Sequence, residues 1–131
     1  MTVTIDWADE AQTSVVYTFS GRWSWDEFYA CWAWLKAAMD GSSSSVSVIM
    51  DVRETRHVPP DVFNHIRSIL KQLHPNFSRA AAFVGVGSYG ALYNSLLRQL
   101  DPTLVEQYQV FFVSTLEEAC QVLDDWRRQH E

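Results

Sequence analysis

Apolar and polar residues alternate at the start of the chain, where Val3, Ile5 and Trp7 are separated by Thr4 and Asp6. A period of two belongs to a strand with one covered face. A second β-rich run, Ser14 to Phe19, follows the polar tetrapeptide Asp9 to Gln12, so the two are predicted to pair as a hairpin. Ser24 precedes Glu27 by three positions, the spacing at which hydroxyl and carboxylate each satisfy a free backbone N–H of the other residue, and a helix is predicted from there. Trp25, Phe28, Trp32, Leu35 and Met39 recur at helical spacing and form its core stripe.

Asp40-Gly41 and the run Ser42 to Ser45 stop that helix in a loop. Val46 to Val52 reads as a strand, Arg53 to His57 as a polar loop, and Pro59-Pro60 as a helix start with Pro60 in the first turn. The second helix carries Val62, Phe63, Ile66, Ile69, Leu70 and Leu73 on one stripe and ends before Pro75. Arg79 to Gly85 is almost unbroken apolar sequence, the mark of a central strand covered on both faces. Tyr89, Leu92, Tyr93, Leu96, Leu97 and Leu100 define a third helix closed by Asp101-Pro102. Gln109 to Val113 supplies a fifth strand, and Thr115 caps a fourth helix whose inner stripe is Leu116, Ala119, Cys120, Leu123 and Trp126.

The order β-β-α-β-α-β-α-β-α requires crossover connections. It predicts an α/β fold: a five-stranded, mostly parallel sheet with four helices, the first strand antiparallel because only a short turn precedes its neighbour. With 131 residues, residues 1–131 form a single domain, and 47% hydrophobic positions suffice for a core without staples. A net charge of −6 opposes a phosphate-binding surface, so nucleic acid is not an expected partner. The acidic start lacks the basic and apolar regions of a secretory signal, and no run approaches a membrane span, which predicts a soluble, cytoplasmic protein. Cys31 and Cys120 are then reduced, buried thiols.

Candidate chemistry gathers at a few places. Gly85-Val86-Gly87-Ser88-Tyr89-Gly90 matches a dinucleotide fingerprint in letter, but it falls late in the chain and the following strand ends Val113-Ser114 without the acidic residue a ribose needs. A weaker role remains for the turn at Gly87, Ser88 and Tyr89, as a rest for an anion or a partner's carboxylate. Arg53, Glu54, Arg56, His57 and Asp61 cluster at the carboxyl end of a parallel strand, the edge where open α/β sheets bind ligands. Surface loops are polar in any case, and such charges also pair with one another or with water. Asp61 and His65 lie four apart on one helix, yet two ligands make no metal site, and neither metal nor cofactor is expected. No serine elbow or nucleophile with an adjacent base occurs, so no catalytic residue is assigned. Trp34 falls opposite the core stripe of the first helix, where an exposed aromatic is an anchor for another protein or a second subunit. Trp23, Trp25, Tyr29 and Phe63 offer a different use, as the lining of a slot for a small nonpolar ligand.

Several stretches carry a likeness to a known family. They are Phe19-Ser20-Gly21 ahead of the first helix, Val48-Ile49-Met50-Asp51-Val52 ending in an acidic residue, the strand Arg79 to Gly85, and Val110-Phe111-Phe112 with Glu117-Glu118-Ala119 and Trp126. Over the whole chain this resembles the STAS, or anti-sigma-factor-antagonist, fold and within it the SpoIIAA-like family of small bacterial proteins. Phosphorylated antagonists of that fold are switched at a serine opening the second helix. The matching segment here, Val58-Pro59-Pro60-Asp61-Val62, has no hydroxyl, and Asp61 is placed either to imitate phosphate charge or to cap the helix. The resemblance implies a non-enzymatic regulatory or protein-interaction module, or alternatively a carrier or sensor of a small nonpolar ligand; the loops at the strand carboxyl ends and the Trp34 face are its expected contact surfaces, and the position of Trp34 on the helix adds the expectation of a homodimer through that face.

Overall fold

The computed structural model describes residues 2–86, 95, 98–99, 102–105 and 108–130. Strands β1 (Val3–Trp7) and β2 (Ser14–Arg22) pair antiparallel, Val3 opposite Phe19 and Trp7 opposite Val15. Asp9 shapes the turn between them: its carboxylate accepts the backbone N–H groups of Thr13 and Ser14 and the Thr13 hydroxyl. Helix α1 (Trp25–Asp40) opens with the capping box read from the sequence, Ser24 and Glu27 each accepting the other's backbone N–H. Strand β3 (Val46–His57) pairs parallel with β2, β4 (Phe77–Val84) parallel with β3, and β5 (Gln109–Val113) parallel with β4. The five strands form one mixed sheet in chain order.

Successive strand residues point to opposite faces, and two cores follow. On one face Val15, Tyr17, Phe19, Val46 and Val48 pack against Phe28, Trp32, Leu35 and Met39 of α1. On the other, Ile49, Ala82 and Val84 pack against Ala119 and Leu123 of helix α3 (Leu116–His130), which Thr115 caps through the Glu118 N–H. Alanine at 80, 82 and 119, all fully buried, lets helix and sheet approach closely. Arg127 ties the far end of α3 to the sheet, donating to the carbonyls of Thr13 at 2.8 Å and Ser45 at 2.7 Å. No helix of the described residues is long and apolar enough to cross a membrane.

Several boundaries differ from the sequence reading. Residues 53–57 are strand rather than loop, because the end of β2 continues to Arg22 and supplies a partner for them, with Gly21 opposite Thr55 and Arg22 opposite His57. Pairing outweighs the weak β propensity of charged residues here. Helix α2 (Val62–Lys71) starts two residues after Pro60, with Asp61 at its N-cap in the left-handed region (φ 63°) and no side-chain capping bond, so the capping role expected of Asp61 is absent. None of the α2 stripe is fully buried; Ile69 packs on the edge of the first core. Trp25 is half-buried rather than core, and Leu116 is 36% exposed, lying at the first turn of α3 ahead of the sheet contact. Strand β4 alternates buried Ser78, Ala80, Ala82 and Val84 with half-buried Ala81 and Phe83, so only one of its faces is sealed. The third helix expected over residues 89–100 and its stop at Asp101 lie largely outside the described residues; Pro102–Val105 is helical, with Pro102 at its first position.

Candidate functional site

The carboxyl edge of the sheet is organised by Asp51, a residue the charge cluster alone did not single out. Asp51 is buried, and Arg53 meets it with two guanidinium bonds, Nε to Oδ1 and Nη2 to Oδ2, both 2.9 Å. The Arg53 backbone N–H also bonds Oδ1, at the register shift where β3 carries an extra residue opposite β2. Hydrogen bonds from Arg53 hold the Asp51 carboxyl below its ordinary range against the opposing effect of burial. Gly85 makes this possible: at φ 93° it leaves room for the Arg53 side chain to cross, and a Cβ there would stand 2.4 Å from Arg53 Cγ. Glu54, Arg56 and His57 are exposed along the same strand, and Asp61 is exposed at the start of α2. Gly87, Ser88 and Tyr89 lie outside the described residues.

A lowered carboxyl pKa stabilises the fold above the unfolded value near 3.9, and that contribution disappears as pH falls through the folded value. Asp51→Asn is therefore expected to lower stability at neutral pH while flattening the loss of stability below pH about 4. Urea unfolding followed at pH about 7 and about 3 measures both. An acid limb as steep as that of the wild type would show that other carboxylates control it.

The aromatic residues expected to line a slot instead pack on one another. Trp23 is 92% buried against Phe19 and Trp25, an exposure of 8%. Trp25 stacks on His65 with ring centroids 4.2 Å apart and donates its indole N–H to the Pro60 carbonyl at 2.8 Å. Tyr29 Oη lies 2.7 Å from His65 Nδ1. These contacts join α1 to α2, so the role the structure assigns His65 is to seat one helix on the other. Phe63 is half-buried near the start of α2. No cluster of three or more potential metal ligands forms among the described residues.

Trp34 is 39% exposed, as its position opposite the stripe requires, and meets Trp7 edge to face at 5.9 Å. Beside it runs a mainly apolar groove of about 550 Å³ between β1 and α1, lined by Val3, Thr4, Ile5, Ala30, Cys31 and Trp34 with Glu27 at its end. The floor is chemically quiet. Burial, then Glu27, raises the Cys31 thiol, which donates to the Val3 carbonyl at 3.6 Å; burial, then Cys31, pushes the Tyr17 hydroxyl far up, and that hydroxyl has no hydrogen-bond partner among the described residues. Neither is an activated nucleophile or base. Strand β1 is the edge of the sheet. Thr2 and Ala8 bond across to β2 at Ser20 and Ser14, so by antiparallel alternation the peptide groups of Val3, Ile5 and Trp7 point along the free edge, where the Val3 carbonyl accepts the Cys31 thiol and the Trp7 N–H donates to Asp6.

Fold and sites together define a class, a single α/β domain with a mixed five-stranded sheet and, among the described residues, three helices of ten residues or more. Beyond that class, no family model matches the chain, and neither a curated protein nor a solved structure matches it significantly.

Proposed function

We propose that the chain is a non-enzymatic regulatory or protein-interaction module of STAS-like, SpoIIAA-like type that docks through β1 and Trp34, with a second copy of itself as the partner. The observation that carries this reading is the free edge of β1 lying beside an apolar groove with an exposed tryptophan at its mouth. Edge strands that stay unpaired are usually blocked by lysine, proline or a bulge. The sequence Val3 to Trp7 contains none of these and carries a single charge, Asp6, whose carboxylate turns back to the Trp7 N–H. Two identical edges brought antiparallel satisfy each other's peptide groups about a two-fold axis, the commonest oligomer symmetry. At the start of α2 the segment Val58 to Val62 carries no hydroxyl, which supports a module that works without the serine switch of the phosphorylated antagonists.

Native mass spectrometry is expected to show a dimer. Thr4→Lys, which places a charge at the exposed edge, and Trp34→Ala are each expected to weaken it by about thirtyfold or more, the cost of a central aromatic anchor. A wild-type monomer at high concentration overturns the reading. A monomer carrying an adduct of a few hundred daltons, released on denaturation, would instead make the 550 Å³ groove a seat for a nonpolar ligand.

A further inference from the structure

A second pocket, of about 310 Å³, opens where the end of α2 meets the beginning of β4 and the residue ahead of β5. Lys71, Leu73, His74, Phe77, Arg79 and Tyr108 are among its lining residues. Its charge opposes that of the molecule: the chain carries −6, yet among the described residues the lining holds two permanent cations and no carboxylate. His74 has a charge partner in Asp40, which lies outside the lining. Lys71 and Arg79 form no salt bridge among the described residues, and Arg79 lies over the Tyr108 ring at 5.8 Å.

The backbone at Arg79 is a second, separate observation. It sits at φ 70°, in the left-handed region, within a strand. The bulge there is organised by Ser78, whose hydroxyl accepts the Ala80 N–H and bonds Ser47 at 2.6 Å. Glycine would adopt that turn without strain, so the backbone gives no reason for an arginine. Residues held in such conformations concentrate where the side chain is put to use. Helix α2 does direct its carbonyl end this way, which alone repels an anion. Two of those carbonyls are already engaged, however, Ile69 by the Gln72 N–H and Leu70 by the Tyr108 hydroxyl, and Lys71 stands in the last turn.

We propose that this pocket binds a small organic anion, a carboxylate with an apolar body, its head group between Lys71 and Arg79 and its body against Leu73 and Phe77. The volume lies at the lower end of those that hold small ligands, which limits the body to one ring or a short chain. The site shares no residue with the docking groove on β1, and neither proposal depends on the other.

The probe is 3-phenylpropanoate, with 3-phenylpropan-1-ol as its uncharged counterpart, titrated into isotopically labelled protein and followed by amide chemical shifts. Saturable shifts are expected at residues 70–74 and 77–80 at millimolar carboxylate, with the alcohol about tenfold weaker or more. Arg79→Gly is expected to remain folded, with a thermal midpoint no lower than wild type, and to lose binding by about tenfold. Arg79→Lys should retain most of it. Arg128→Gln, which removes the same charge from exposed α3, should bind as wild type. Equal binding of the alcohol, wild-type binding by Arg79→Gly, or shifts confined to β1 and α1 would each overturn the assignment, as would the absence of any saturable shift.

Discussion

Leu123→Ala is expected to lower the unfolding free energy by about 2–5 kcal/mol. The side chain is 1% exposed and inserts into the core between α3 and the sheet. Its fully buried neighbours Ala80, Ala82 and Ala119 end at Cβ, and Ile49 and Val84 are held by parallel pairing on both sides, so none of these can fill the space, and only half-buried Phe111 and Trp126 at the margin of the cluster carry long side chains. The cost of such a truncation grows with the cavity that remains. Ala119 and Leu123 are the fully buried positions of α3, which makes Leu123 the main apolar anchor of that helix. Chemical denaturation followed by tryptophan fluorescence reads the change. A loss well under about 1 kcal/mol would mean that α3 is held chiefly by polar contacts such as those of Arg127.

Gly85→Ala is the second large effect, expected at about 2–3 kcal/mol. Part of this is backbone: at φ 93° a Cβ costs roughly 1–2 kcal/mol. The remainder is steric, because the added carbon would lie 2.4 Å from Arg53 Cγ and 3.0 Å from its Cα. Relieving that contact displaces the guanidinium and leaves the buried Asp51 carboxylate short of donors. The attraction between the two charges adds little on its own, since the Arg53 side chain is 43% exposed and screened. Adding Arg53→Ala to Gly85→Ala should therefore recover only the part of the clash due to Cγ, since Cα and Cβ remain, and a double-mutant cycle over the two positions is expected to show coupling. Strict additivity would show that Gly85 serves its turn alone.

Asp51 and Gly85 hold Arg53 in one orientation beside exposed Arg56 and His57, while the docking face proposed for β1 lies between β1 and α1. The pocket at Lys71 and Arg79 belongs to the amino end of β4. The docking face and the pocket share no residue, so damage at one can be measured against binding at the other.

Whatever depends on neighbours along the chain was legible in the sequence. The capping box at Ser24 and Glu27, the alternation of Val3, Ile5 and Trp7, the bounds of β5 and the exposure of Trp34 all follow from interactions within about one helical turn or one strand. What crosses between elements was not. Arg53 to His57 carry a loop's composition and became strand because β2 extends alongside them. Gly85 reads as half of a phosphate motif, but its conformation accommodates an arginine from the neighbouring strand. His65 reads as a stray ligand and sits between Trp25 and Tyr29. Arg79 opens an apolar run and turns with Lys71 to line a pocket. In each case the deciding partner is distant in sequence, and no local propensity encodes a contact whose entropy of closure only the folded sheet offsets.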